Sequence, residues 1–128
     1  MQDYGPMADA EKADSYERYL DEIQHYTPLS REQEGDVARA ARAGDASALD
    51  RLVRANLRFV VKVALEYSGR GVPLLELIAE GNVGLVEAAQ RFDERRGCKF
   101  ITYAVWLIRN RIHHALRRGA RVVPLSWK

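Results

Sequence analysis

With one cysteine in 128 residues, Cys98, the chain has no internal disulfide and no set of thiols for a zinc cluster, and a reducing cytoplasm is the compartment this implies. Apolar runs are short, and none approaches the roughly 18 residues of a membrane span. The N-terminal stretch "MQDYGPMADAEKAD" has neither the basic nor the apolar region of a signal peptide. Strand-like alternation, internal repeats and low-complexity segments are missing as well. So are a glycine-rich phosphate loop followed by Lys and Ser or Thr, a nucleophile elbow, and metal-spaced histidines. Adjacent His113 and His114 would diverge by about 100° on a helix, which makes a poor metal pair. These absences leave an intracellular protein with no support for an enzyme, a metal or a cofactor.

What is present suits one compact domain, because 128 residues with 47% apolar content can bury about two thirds of the unfolded surface. The formal net charge of +2 conceals a strong asymmetry along the chain. Residues 1–90 carry 10 Lys and Arg against 16 Asp and Glu, whereas residues 91–128 carry 10 against 2. A surface for an acidic partner therefore belongs to the last third.

The apolar spacing predicts an all-α bundle of about five helices. Residues 1–13, polar and Ala-rich with Gly5-Pro6, read as a flexible arm. "SYERYLDEIQHY" places Tyr16, Tyr19, Leu20, Ile23 and Tyr26 at helical intervals. Ser30 followed by Gln33 forms a capping-box signature for a second helix from about Arg31 to Ala43, which Gly44 stops. Asp45 can cap a third, whose line Leu49, Leu52, Val53, Val60, Val63, Ala64 and Tyr67 continues to "SGRG", with Asn56 on the same buried line. Pro73 opens a fourth, "PLLELIAEGNVGLVEAAQRF", in which Gly81 and Gly84 cost about 1 kcal/mol each relative to Ala. Close helix packing would account for both glycines. A fifth spans about Phe100 to Arg118, with Gly119 as its end.

That fifth helix has more than folding requires. Ile101, Ala104, Val105, Ile108, Ile112, Ala115 and Leu116 form one sufficient core face. Opposite fall Tyr103, Trp106, Leu107, Asn110, His113, His114 and Arg117, aromatic toward the N-terminal half and hydrogen-bonding toward the C-terminal half. Periodicity alone leaves two readings of this second face, a buried one and a nucleic-acid surface. Aromatic faces stack on unpaired bases, while Asn, His and Arg reach base edges or phosphates. The arginine content favours nucleic acid.

Three ordered segments, "ANLRFVVKVA", "ELIAEGNVGLVEAAQRFDERRG" and "KFITYAVWLIRN", resemble the sigma-70-type sigma factors of bacterial RNA polymerase. The match runs from about Ser15 to Arg121 and covers regions 1.2 through 2.4. It implies region 1.2-like helices over 14–44, sigma region 2 over 45–121, and the start of a linker over 122–128 to C-terminal regions that this chain lacks. It further implies a helical domain that docks on a coiled coil of the polymerase β′ subunit, recognises the minus-ten promoter element and opens it, without catalysis. An anti-sigma factor is a further partner that the family admits.

By the resemblance, Glu76, Glu80 and Asn82 occupy polymerase-contact positions and Val86 an apolar one, while Ala79 replaces a glutamine. Taken alone, an acidic helix face reads equally as solvated surface. Tyr103 matches the tyrosine that stacks on a flipped adenine, in a pocket whose other positions correspond to Arg96, Phe100, Thr102 and Asp93. Asn56, Leu57 and Lys99 match positions that hold a flipped thymine, although an ordinary helix-to-helix hydrogen bond accounts for Asn56 equally well. Trp106 matches the first of a tryptophan pair that wedges against the last closed base pair, and Leu107 replaces the second. Asn110 and His113 stand where the family reads the upstream base pair, with His114 beside them. Arg109, Arg111, Arg117, Arg118 and Arg121 fit phosphate contacts, whose contribution falls with salt.

Cys98 where an aromatic is common, Ile101 where a hydroxyl is common, and "ARVVPLSWK" without the expected arginine point to a divergent or alternative member. Leu107, Cys98 and the missing C-terminal regions motivate a second function: a sigma-derived decoy or regulatory partner that binds polymerase and does not open promoters.

Overall fold

The computed structural model describes the backbone of residues 5–125 and the side chains of residues 13–119. The side chain of Arg121 and residues 126–128 of the expected linker therefore lie outside the description. Six α-helices and one 3-10 turn follow in order: α1 Gly5–Ile23, α2 Arg31–Arg42, α3 Ala46–Arg54, α4 Leu57–Leu65, α5 Leu74–Arg91, the 3-10 turn Glu94–Arg96, and α6 Phe100–Leu125. The described residues contain no strand, so the fold is all-α as the spacing predicts.

Local chemistry sets the helix starts. Gln33 N–H donates to Ser30 Oγ at 3.1 Å and Ser30 N–H to Gln33 Oε1 at 2.9 Å, the two halves of the capping box. Asp45 Oδ1 accepts from the backbone of Ser47 and Ala48, satisfying two otherwise unpaired donors at the start of α3. Gly44, at φ 105°, supplies the left-handed residue that lets α2 stop one position earlier.

Four expectations change. The arm expected over residues 1–13 is helical from Gly5, because Ala8, Ala10, Glu11, Lys12 and Ala13 are strong helix formers and Pro6 falls in the tolerant first turn. The single third helix is two, broken at Asn56, whose backbone leaves the helical region at φ −118°, ψ 8°. Its buried Nδ2 donates to Leu52 O at 2.8 Å, so the amide serves a carbonyl of the preceding turn rather than a neighbouring helix. Gly119 does not end α6. It keeps negative φ, and a Cβ there would lie 2.8 Å from Val72 Cγ2, so the residue permits close approach to the loop before α5. Finally, Ile101 is 39% exposed and does not join the core face.

The core sits between α5 and α6, the most extensive helix pair in the molecule, with α4 packed across α5. Leu77, Leu85 and Ala88 of α5 meet Ala104, Ile108 and Ile112 of α6, all fully buried. Close contact depends on Gly84, where a Cβ would sit 2.6 Å from Leu107 O and 2.9 Å from Ile108 Cα. A Cβ at Gly81 would instead press on the Val60 side chain at 2.7 Å. Both glycines therefore bring helices together, as their place in an otherwise helical run suggested.

Candidate nucleic-acid interface

At about 100° per residue, Trp106, Asn110, His113 and Arg117 fall within an arc of roughly 60° on α6, across the helix from Ala104, Ile108, Ile112 and Ala115. The four core residues are buried and the four outward ones are exposed, Trp106 at 70%. An aromatic this exposed contributes little to folding. Tyr103 and Leu107, one flank over, are half-buried and lean on the core. The Tyr103 ring lies 6.0 Å from that of Phe92 at an interplanar angle of 33°. One side of Tyr103 is thus held while the rest remains reachable.

Phe100 is fully buried and meets Phe92 edge-on at 5.2 Å, so it cannot present a face to a base. It forms the floor under Phe92, against which the Tyr103 ring in turn leans. The helix start is fixed from a distance: Phe100 N–H donates to Glu34 Oε2 of α2 at 3.0 Å, a carboxylate placed at the positive end of the α6 dipole. Arg96, Lys99 and Thr102 around it are exposed. Asp93 is held by Arg95 in a two-pronged pair, 2.9 Å at each oxygen, and these bonds, together with the Arg95 backbone N–H, keep its carboxyl far below the usual range. Its neighbour Glu94 accepts two hydrogen bonds from Arg42 of α2, at 3.1 and 2.7 Å, which lower its pKa. Helix α2 is consequently fastened to the turn that leads into α6. Asn56 is buried at the α3–α4 break and Leu57 beside it is half-buried, which separates this pair in exposure from Lys99.

Two borders flank the outward line of α6. On one side stand Glu66 and Tyr67, in the turn after α4. Glu66 pairs with Arg109 at 3.5 Å, and Tyr67 Oη lies 3.1 Å from His113 Nε2 with the rings edge to face at 5.1 Å. On the other side α5 contributes Glu87, 3.6 Å from Arg111, and Glu80, 2.9 Å from Arg118. An open groove of about 360 Å³ runs along this border, lined by Glu87, Leu107, Asn110, Arg111, His114 and Arg117. Arg109, Arg111 and Arg118 thus each carry a carboxylate partner already, whereas Arg117 enters none of the described ion pairs.

The outer face of α5 is different in kind. Glu76 and Ala79 are exposed and are followed along the same stripe by Val83 at 47% and Val86 at 37% exposure. Expected beside Glu76, Glu80 instead leans toward α6 and Arg118. Asn82 is covered by α1: its Nδ2 donates to Tyr19 Oη at 3.1 Å, and its Oδ1 is buried without a partner. Burial pushes the Tyr19 phenol upward in pKa despite that bond. The periodic reading missed Tyr67, counted with the core line, and Val83 and Glu87. Only the exposed position of Val83 between Ala79 and Val86 at helical spacing offered a signal.

Residues 52–122 match the family model of sigma-70 region 2, and residues 14–47 that of sigma-70 factor region 1.2. The chain belongs to the sigma-70 family. It is 46% identical over 113 residues to the RNA polymerase sigma-C factor of Myxococcus xanthus, across 88% of this chain and 38% of that protein. It is 46% identical over 112 residues to RNA polymerase sigma factor SigA of Clostridium acetobutylicum, across 88% and 30%. RNA polymerase sigma factor RpoS of Coxiella burnetii is 42% identical over 113 residues, across 88% and 32%. The chain therefore spans about a third of the length of these sigma-70 relatives, and the matched part contains both faces described above. Among the described residues, no cluster of His, Cys, Asp and Glu could hold a metal ion, and no helix is long and apolar enough to cross a membrane.

Proposed function

We propose that this chain is the polymerase-docking and promoter-opening part of a transcription initiation sigma factor. The outer stripe of α5 serves as the site for the β′ coiled coil, and the outward line of α6 as the site for the minus-ten element. The observation that carries this reading is the exposure of Trp106, Asn110, His113 and Arg117 in one line opposite a complete core face, with Tyr103 leaning on Phe92 at the aromatic end. Trp106 abuts the last closed base pair. Tyr103 receives an unpaired base on a ring already braced from behind, above a floor made by Phe100. Asn110 and His113 meet base edges in the duplex, and Arg117 is ready for phosphate.

On α5, the exposed Glu76 and the apolar Val83 and Val86 suit a partner that is basic at its rim and apolar at its centre. The test is promoter-dependent transcription by core polymerase reconstituted with the chain. Binding to a forked template with an unpaired non-template strand is compared with a fully paired one at fixed salt. Preference for the forked template that disappears in Tyr103→Ala and survives in Tyr103→Phe supports the reading; binding to core with no opening of any promoter would refute it.

A further inference from the structure

Tyr67 lies in the turn after α4, outside both faces, and touches His113, the imidazole on the outward line of α6. Its backbone is fixed to the core by Tyr67 N–H donating to Ala64 O at 3.0 Å, where Ala64 is fully buried. The Arg70 guanidinium sits 5.2 Å from the ring centroid and braces it. From this fixed base, Oη reaches His113 Nε2 at 3.1 Å, and the two rings meet at 78°. An exposed histidine on a helix surface otherwise rotates about two side-chain torsions and presents either nitrogen to its surroundings. Here Nε2 is occupied and the ring plane is set by the edge-to-face contact.

We propose that Tyr67 is a specificity-determining positioning residue, which holds the His113 ring so that Nδ1 is the atom offered to the base edge. The proposal rests on the reading of His113 as a base-edge contact. A hydroxyl serves this task because it donates to a bare nitrogen and accepts from a protonated one, so the bond survives in either tautomer. Its effect is on orientation. A histidine free to swing can satisfy several base pairs by choosing its nitrogen, whereas a fixed one discriminates among them.

The test uses holoenzyme and four forked templates that differ only at the base pair upstream of the melted segment. Four proteins are compared: the parent chain, Tyr67→Phe, His113→Ala, and the double variant. The phenylalanine keeps the ring, its edge-to-face contact and the core packing, and removes only the hydroxyl. Expected is a flattening of base-pair preference by about two- to tenfold in Tyr67→Phe, the worth of one net hydrogen bond. Affinity for core polymerase should be unchanged, and His113→Ala should flatten no further when Tyr67→Phe is added. A uniform loss on all four templates, an intact preference in Tyr67→Phe, or equal flattening in the His113→Ala background would overturn the proposal. If His113→Ala itself leaves the preference intact, the base-edge reading of α6 falls and this inference falls with it; if only Tyr67→Phe does so, the reading of α6 stands alone.

Discussion

The outer faces of α5 and α6 lie back to back across one core, and they solve opposite problems. α5 presents acid and small aliphatic groups, and its central amide, Asn82, is turned under α1 to Tyr19. α6 presents aromatic rings, amide, imidazole and guanidinium. Their cores are nearly interchangeable runs of Leu, Ile and Ala, so burial alone cannot tell the two helices apart. The information lies in what each carries beyond its core stripe. The two also meet at their edges, where Glu80 and Glu87 of α5 hold Arg118 and Arg111 of α6. Such exposed pairs are worth roughly 0–1 kcal/mol each, so a partner of either face can break them at small cost.

The largest expected effect comes from erasing the sign difference on α5. Glu76→Lys with Glu80→Lys places two cations where a basic partner is expected, and like charges brought together cost several kcal/mol. Binding to core polymerase should be lost, while the thermal unfolding midpoint falls only slightly, because Glu76 is exposed and Glu80→Lys gives up one partly exposed pair, with Arg118. Unaltered core affinity would remove α5 as the docking element and leave α6 as the sole functional face.

Next in size is the seam between the faces. Gly84→Ala drives a methyl group into the backbone of α6 at Leu107 and Ile108, and overpacking of this kind costs about 1–3 kcal/mol, more than the roughly 1 kcal/mol that alanine gains in helix propensity. Gly81→Ala meets side chains rather than backbone, Val60 Cγ1 most closely at 2.7 Å, and should cost less. Denaturant midpoints of the two variants check this. A Gly81→Ala protein as destabilised as Gly84→Ala would mean that the helix–helix spacing is not set at Gly84.

Sharpening the α6 half needs variants that separate binding from folding. Trp106→Ala should leave stability unchanged, because the ring is mostly in solvent, yet weaken binding to forked template by about five- to a hundredfold, the worth of roughly 1–3 kcal/mol of base stacking. Tyr103→Ala should weaken forked-template binding to a similar degree and also lower stability, since its ring packs on Phe92. Tyr103→Phe should retain most of both. Equal losses on forked and fully paired templates would show that Tyr103 does not stack on an unpaired base and that Trp106 does not act at the edge of the melted segment.

What could be read from the sequence was what depends on neighbours along it. The Ser30–Gln33 box, the Asp45 cap, the close-packing glycines and the outward line of α6 all follow from spacings of two to four residues, the range over which caps and helix faces act. Two misreadings had the same origin. Gly119 looked like a stop and Asn56 like a buried residue within one helix, but a stop needs a left-handed backbone and a break needs a competing side-chain bond, and both depend on the surrounding fold. Phe100 was assigned to a base pocket by resemblance, and its burial behind Phe92 places it one layer deeper. Contacts such as Tyr67 to His113, Glu66 to Arg109 and Glu34 to the α6 start join residues more than forty positions apart, which no local period encodes.

The smallest expected effect concerns the clamp between α2 and the turn before α6, and it contrasts charged fastening with the apolar α5–α6 seam. Arg42 and Arg95 hold Glu94 and Asp93 as carboxylates, and their hydrogen bonds lower both pKa values from the ordinary 4.5 and 3.8. A depressed carboxylate binds fewer protons in the folded state than in the unfolded one, so its contribution is fully present above the unfolded value and is lost as pH falls through the folded one. The clamp should therefore add a constant increment from neutral pH down to about pH 5, and the increment should shrink below about pH 4. Glu94→Gln removes the titrating half that Arg42 holds. The difference in urea midpoint between parent and Glu94→Gln should be small, constant in the neutral range, reduced by added salt, and narrowed in acid. Gly84→Ala compared with the parent should show no such narrowing, since no proton is bound or released at that seam. A parent-to-Glu94→Gln difference that stays constant into acid would mean that Glu94 acts through packing rather than charge, and that the bond from Glu34 to the start of α6 is the stronger polar tie between α2 and that helix.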